Sequence, residues 1–399
     1  MRLLQGGFYA AFGCGVPFFS IYYKRILVAA DGTPAVGLIG ALFFVNAAAG
    51  IVAMPLLGYL ADRFKIGNRL VSILAGVVSL FMVLVAVAGT PWAAEWSLEV
   101  RALVVFLGFG IAGLAVRPII PLMDAETLAF LKATEGGASR YGRIRAWGTV
   151  GFIVTATGVG VMLHATGALF LAMAAYSVGF AGLAFVASGG VRPILPPVRI
   201  PWEHLFADRT FRRYLLFVFF TYLAFTNAFT FTGYFLDDAN VNLALIGLSF
   251  AVGAVAEVPI MQGSHKLLAR VRNTGLIVAG ALTTAFKLSL FVIGDATGAL
   301  WLLVSSQMLN GVGFGMMFIG FVNFVDEKAH PDLAATYQNL HHIAATAGFA
   351  AGMLLAPLVI EAFGSRALMG VDAVLLLVCV GYFLTVVARG ENAPSPAGG

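Results

Sequence analysis

Long apolar runs alternate with short, base-rich polar turns along the whole chain. The runs fall at about 5–27, 37–61, 69–90, 102–124, 145–163 and 168–189, then at about 214–236, 244–266, 274–294, 299–323, 335–361 and 367–388. Each holds roughly 19–27 mostly apolar residues, and about 20 suffice for an α-helix to cross the hydrocarbon core of a bilayer. The pattern predicts an all-α membrane protein of twelve transmembrane helices. The longest polar interruption, residues 190–213, is too rich in proline and charge to lie in the bilayer core. It is read as a cytoplasmic linker between two six-helix bundles, 1–189 and 214–390, and residues 391–399 as a disordered tail. Two equal halves suggest an internal duplication with a central site between the repeats.

Composition agrees. Of 399 residues, 60% are hydrophobic and 11% charged, with mean hydropathy +0.93; a soluble domain is about a quarter charged. The net charge of +5 lies in the turns and is read as topology, not as nucleic-acid binding. With the N-terminus inside, roughly eighteen of the 24 Lys and Arg fall on the inner side, against Lys24, Arg25, Arg101 and Arg366 outside. That bias places both termini in the cytoplasm and keeps the helix count even. No cleavable signal peptide is evident. Cys14 and Cys379 both lie in apolar runs, far apart in sequence, and give no case for a disulfide or a cysteine metal site.

The turn after the second run reads Gly58-Tyr-Leu-Ala-Asp62-Arg63, with basic residues continuing to Arg69. This stretch resembles the signature loop of the major facilitator superfamily, in the right position. The resemblance implies two six-helix bundles and a conformational latch formed by Gly58, Asp62, Arg63 and Arg69, in which the Asp62 carboxylate changes partner between states. The plainer reading is an ordinary loop acid beside topology-setting arginines. The corresponding turn in the second half, Gly263 to Arg270, keeps the glycine and bases but lacks the acid. Asp124-Ala-Glu-Thr-Leu and Tyr141-Gly-Arg-Ile-Arg145-Ala-Trp147-Gly resemble the proton symporters related to lactose, nucleoside and phenylpropionate permeases. That resemblance implies substrate contact for Arg145, matches Glu257 to an acidic residue of the eighth helix, and places Lys287 where a basic residue is common in the ninth. Asp124 joins Glu257 as a proton-coupling candidate, and Trp147, with Tyr22 and Phe314, is an aromatic candidate for stacking on an aromatic substrate. The match departs at Asn310, where many relatives carry a histidine. The motif of drug antiporters in the fifth helix is missing.

A charge at the bilayer centre costs about 2.5–3.5 kcal/mol on insertion scales, so each asks for a reason. Glu257 is the candidate proton carrier, since a carboxyl partly removed from water can load and unload a proton across a modest gradient; the alternative is a static Glu257–Lys287 pair locking helices eight and nine. Arg117, Pro121 and Asp124 share one helical face. Arg117 either binds a substrate carboxylate bidentately, pairs with Asp124, or reaches to the cytoplasmic surface. Gln307 with Asn310, and Asn227 with Thr230 and Tyr234, form polar faces that line a cavity or bond between helices. His341 and His342 read as helix-end histidines or, alternatively, as gate or proton groups.

These residues predict a proton-coupled symporter of the cell inner membrane, importing a small organic solute by alternating access. Two basic centres against one acid favour an organic anion such as an aromatic carboxylate; a nucleoside or sugar is the alternative, an exporter or a non-transporting receptor the remoter ones. No catalytic set and no nucleotide loop is visible, so no enzyme is expected. The expected partners are substrate, protons and lipid, with no cofactor beyond the proton gradient, no metal, and a monomeric chain.

Overall fold

The computed structural model describes residues 1–64, 66–133, 141–187, 209–328 and 334–387. Among them the regular structure is helical, with one isolated bridge, Val28 to Pro34, in a turn. The helices are α1 (Arg2–Gly15), α2 (Phe19–Ile26), α3 (Val36–Phe64), α4 (Gly67–Val87), α5 (Leu98–Ala133), α6 (Tyr141–Thr166), α7 (Phe170–Val186), α8 (Arg209–Thr230), α9 (Thr232–Asp238), α10 (Leu243–Gln262), α11 (Asn273–Thr297), α12 (Leu300–Ser305), α13 (Gln307–Lys328), α14 (Ala334–Phe363) and α15 (Ser365–Tyr382). Of the expected linker, residues 190–208 lie outside the described residues and 209–213 form the first turns of α8, so the seventh span begins earlier than the apolar run at 214 indicates; the tail lies entirely outside the described residues.

Local chemistry sets several ends. The Asn242 side chain accepts from the Leu245 amide at 2.9 Å and caps α10. Gly298, at φ 69°, closes α11 in the left-handed conformation that glycine adopts without strain. In the turn before α3, Asp31 accepts from the Thr33 amide at 2.9 Å and the Thr33 hydroxyl at 2.7 Å, which holds its carboxyl below the usual range.

By length and composition nine described helices can cross a membrane, and α8 with α9, bent by 48°, makes a tenth. The other two predicted spans are shorter or interrupted. The first is broken into α1 and α2 around Pro17, which has no amide proton and disfavours helix before it. The sixth is α7, a 17-residue apolar helix. Large apolar side chains such as Leu80, Val154, Phe185 and Val374 are exposed along these helices, a surface suited to lipid rather than water.

The packing repeats. In the first half α1 packs on α6 and α7, α4 on α5 and α7, and α3 on α5; in the second, α8 packs on α14 and α15, α11 on α13 and α15, and α10 on α13. The second set is the first displaced by six spans. The halves meet where α3 touches α14 and α6 touches α10, and these two contacts exchange under the same displacement. Glycine lets the helices approach: a Cβ at Gly348 would lie 2.0 Å from the Phe219 carbonyl oxygen, and one at Gly311 1.9 Å from that of Gly253.

Candidate functional site

Four helices from both halves converge on a cluster near the start of α6. The Arg145 guanidinium lies over the Tyr9 ring of α1, 3.7 Å from its centre. Glu257, one turn from the end of α10, is partly buried and within electrostatic reach of Arg145 and Tyr9. Asp124 of α5 also acts on Tyr9, and its Oδ1 accepts from the buried Gln5 amide at 3.2 Å. Two acids and one arginine, carried on helices of opposite halves, therefore share one neighbourhood. Arg145 and Glu257 are far apart in sequence and are brought together across the α6–α10 contact.

Arg117 lies one level deeper. Its side chain crosses α3 at Gly50, where a Cβ would sit 2.7 Å from the arginine Cγ, so the bare glycine makes room for it. Its guanidinium faces Phe349 of α14 at 5.4 Å and lies within electrostatic reach of Tyr176. Among the described residues it has neither a hydrogen bond nor an ion pair. The Arg117–Asp124 pair is thus not formed. A partly buried cation between the halves, next to an aromatic ring and without a carboxylate, can hold an anionic group.

The remaining intramembrane polar residues gather in the second half. Lys287 is fully buried and donates to the Ala228 carbonyl at 2.9 Å and to Asn310 Oδ1 at 3.2 Å. Ala228 stands at the break between α8 and α9, and its carbonyl also accepts from the Thr232 hydroxyl, so Lys287 satisfies an acceptor at a helix bend. No Glu257–Lys287 pair forms. Asn227 donates to Asp372 Oδ1 on α15 at 3.2 Å. Asp372 is 1% exposed and is not among the residues that the sequence motifs single out. Its signal is the same as that of Glu257, an acid inside an apolar run. Gln307 is buried against Gly253 of α10. Trp147, two positions after Arg145, is half exposed. His341 is buried and bonds the Tyr214 hydroxyl at 2.8 Å through Nδ1, a satisfied core histidine. Gly58, Asp62 and Arg63 fall in the last turns of α3 and Arg69 is exposed at the start of α4; the side chains of Asp62 and Arg63 lie outside the described residues.

At the end of the bundle opposite the termini the halves are latched. Lys24 bonds Asp237 at 2.7 Å and also Asp238, and Arg25 bonds Asp237 at 2.9 Å. Beside them the Gly37 amide donates to Glu361 at 2.9 Å and the Tyr234 amide to the Ser20 hydroxyl at 3.0 Å. Small residues continue the seam. A Cβ at Gly247 would lie 2.3 Å from the Ala156 carbonyl oxygen, and one at Gly40 2.2 Å from Pro357.

Two quasi-repeated helix bundles, closed against each other at one end and holding charged groups between them, define a multi-pass membrane transporter of small solutes. The chain belongs to the MFS_1 like family, whose model matches residues 7–369, and such transporters are not enzymes. It is similar to the maltose permease of Geobacillus stearothermophilus, with 26% identity over 317 residues, 77% of this chain and 73% of that one. It is equally similar to the probable 3-phenylpropionic acid transporter of Escherichia coli K12, with 26% identity over 310 residues, 74% of each. The uncharacterized transporter YwbF of Bacillus subtilis is 24% identical over 221 residues, so the chain spans about half of that relative's length (54%). Among solved structures, a point mutant of the nucleoside transporter NupG superposes with a TM-score of 0.81 at 16% identity, covering 96% of this chain and 98% of that one. The last likeness speaks for the fold.

Proposed function

We propose that this chain is a proton-coupled symporter of a small organic anion, an aromatic carboxylate, in the inner membrane with both termini cytoplasmic. The observation that carries the reading is Arg117, a guanidinium between the halves with an aromatic neighbour and no anionic partner among the described residues. A substrate carboxylate would take both donors of its fork while the substrate ring lies against Phe349. The 3-phenylpropionic acid relative agrees in chemical class.

Glu257 is the proposed proton carrier. It takes a proton from the outer solution, which removes its charge from the neighbourhood of Arg145, and gives it up to the cytoplasm after the halves rock. The distribution of basic residues supports an outer position for the latched end, so the conformation described is inward-facing on this reading. Glu257→Gln should abolish uphill accumulation while sparing exchange. Full uphill uptake by that variant removes Glu257 as the carrier.

A neutral polar solute is the second reading, favoured by the maltose permease relative. Counterflow in proteoliposomes with 3-phenylpropionate, maltose and a nucleoside separates the two. The first reading expects exchange with the acid alone, and exchange with a neutral solute alone would overturn it.

A further inference from the structure

Two residues joined across α8 and α15 each keep a buried acceptor without a donor. Asn227 Nδ2 donates to Asp372 Oδ1. Asp372 Oδ2 and Asn227 Oδ1, the other atom of each group, are both buried and have no hydrogen-bond partner. Each such atom forfeits its bonds to water without replacement, and the penalty is larger when the group is charged. A carboxyl and a carboxamide joined by one N–H···O bond close a second, O–H···O, when the acid carries a proton. One proton on Oδ2 satisfies both orphans together.

No charged neighbour offers another solution. From α11, Lys287 is taken by Ala228 and Asn310, and Asp295 is paired with Arg366 of α15 itself. From α9, Asp237 and Asp238 are held by Lys24 and Arg25, and Asp238 also by Ser365. From α14, Glu361 accepts from Gly37, His341 is bonded to Tyr214 of α8, and His342 lies against His341. Tyr222 is the remaining titratable group of α8 on this side. Among the described residues Asp372 has no ion pair.

We propose that Asp372 and Asn227 form a second proton-binding site, with Asp372 holding its proton as the neutral acid in this conformation. Position supplies the route for release. Asn227 lies one turn before the 48° bend between α8 and α9, and α9 carries the aspartates that latch the halves. Straightening or swinging α9 to unlatch them moves the Asn227 amide relative to α15 and opens the O–H···O bond. The proton then leaves Oδ2 for water on the unlatched side and is taken back from that solution on relatching, so the site moves no net proton across the membrane and acts as a proton-linked hold on the latched conformation. This gating role rests on the transport reading above; the protonation itself does not.

Infrared difference spectroscopy of the full chain in lipid tests the protonation directly. At neutral pH the wild type should show a carboxylic-acid carbonyl band that is lost in Asp372→Asn and displaced in Asp372→Glu. Identical spectra of wild type and Asp372→Asn in that region would overturn the proposal. Asp372→Asn keeps an amide able to pair with Asn227, so its folding should be spared. If it does not fold, displacement of the band in Asp372→Glu decides alone. In transport, the rate of substrate exchange by the wild type should depend on the pH of the solution at the latched end, Asp372→Asn should remove that dependence, and Asp372→Glu should restore part of it. An unchanged pH dependence in Asp372→Asn would overturn the gating role. A wild type that exchanges no substrate would fail the transport reading while the band still judges the site.

Discussion

Arg117→Ala removes a guanidinium that the fold leaves without a carboxylate. If an organic anion is its partner, the loss is that of hydrogen bonds to a charged group, about 1.5–3 kcal/mol, or roughly 10- to 150-fold in affinity. Neutral analogues should weaken far less, and Arg117→Lys should recover only part of the loss because a lysine cannot present the planar fork. Binding titrations on purified protein with an aromatic acid and its amide check this; equal losses for both would make Arg117 structural. At this scale the sequence was legible where a charge stands inside an apolar run. Glu257, Arg117, Lys287 and Asp372 all carry that mark. What it did not contain was partnership. Lys287 serves a backbone carbonyl at a bend, and Asp372 has an amide from a helix 145 residues away. Neither follows from spacing on one helix.

At the scale of the element, glycines decide how close helices come. Gly348 of α14 lies against the Phe219 carbonyl of α8. Any larger side chain must push backbone aside, at a typical cost of about 1–3 kcal/mol. Gly348→Val should lower the thermal midpoint of the detergent-solubilised protein, and an unchanged midpoint would contradict the packing described. Gly247 lies on the seam between the halves instead. Gly247→Leu, whose side chain meets the Ala156 carbonyl, should hinder closure of the latched end while leaving each half folded. Cysteine pairs across the seam, read by cross-linking yield, should report a lower yield than in the glycine parent. Gly348 and Gly352 stand four residues apart, the spacing by which small residues on one helix face admit a neighbour. The breaks within the first and seventh spans were harder to see, because hydropathy runs unbroken through Pro17 and through Phe231 while the hydrogen-bond ladder does not.

For the whole molecule, the repetition of helix contacts six spans apart fits the proposed alternating access by rocking of two similar halves. The latch of Lys24 and Arg25 with Asp237 and Asp238 opposes that motion at one end. The two exposed pairs, Lys24 with Asp238 and Arg25 with Asp237, contribute up to about 1 kcal/mol each and are screened by salt, while Lys24 with Asp237 is partly buried and screened less. Lys24→Ala with Arg25→Ala should raise the population open at that end, measured by spin-label distances between α2 and α9, and salt should shift the wild type in the same direction. Unaltered distances would assign closure to the glycine seam alone. The family and its twelve-helix plan were readable from apolar periodicity and the turn at Gly58. The latch was not, since Lys24 and Arg25 looked like outside bases and their acids lie more than 210 residues on.

Substrate-driven proton movement in sealed proteoliposomes tests the central claim most directly. With wild-type protein, adding an aromatic carboxylate at low buffering should alkalinise the outer medium as substrate enters, and Glu257→Gln should abolish that signal while still exchanging labelled substrate. Substrate entry with no change in external pH, or acidification in its place, would contradict the account.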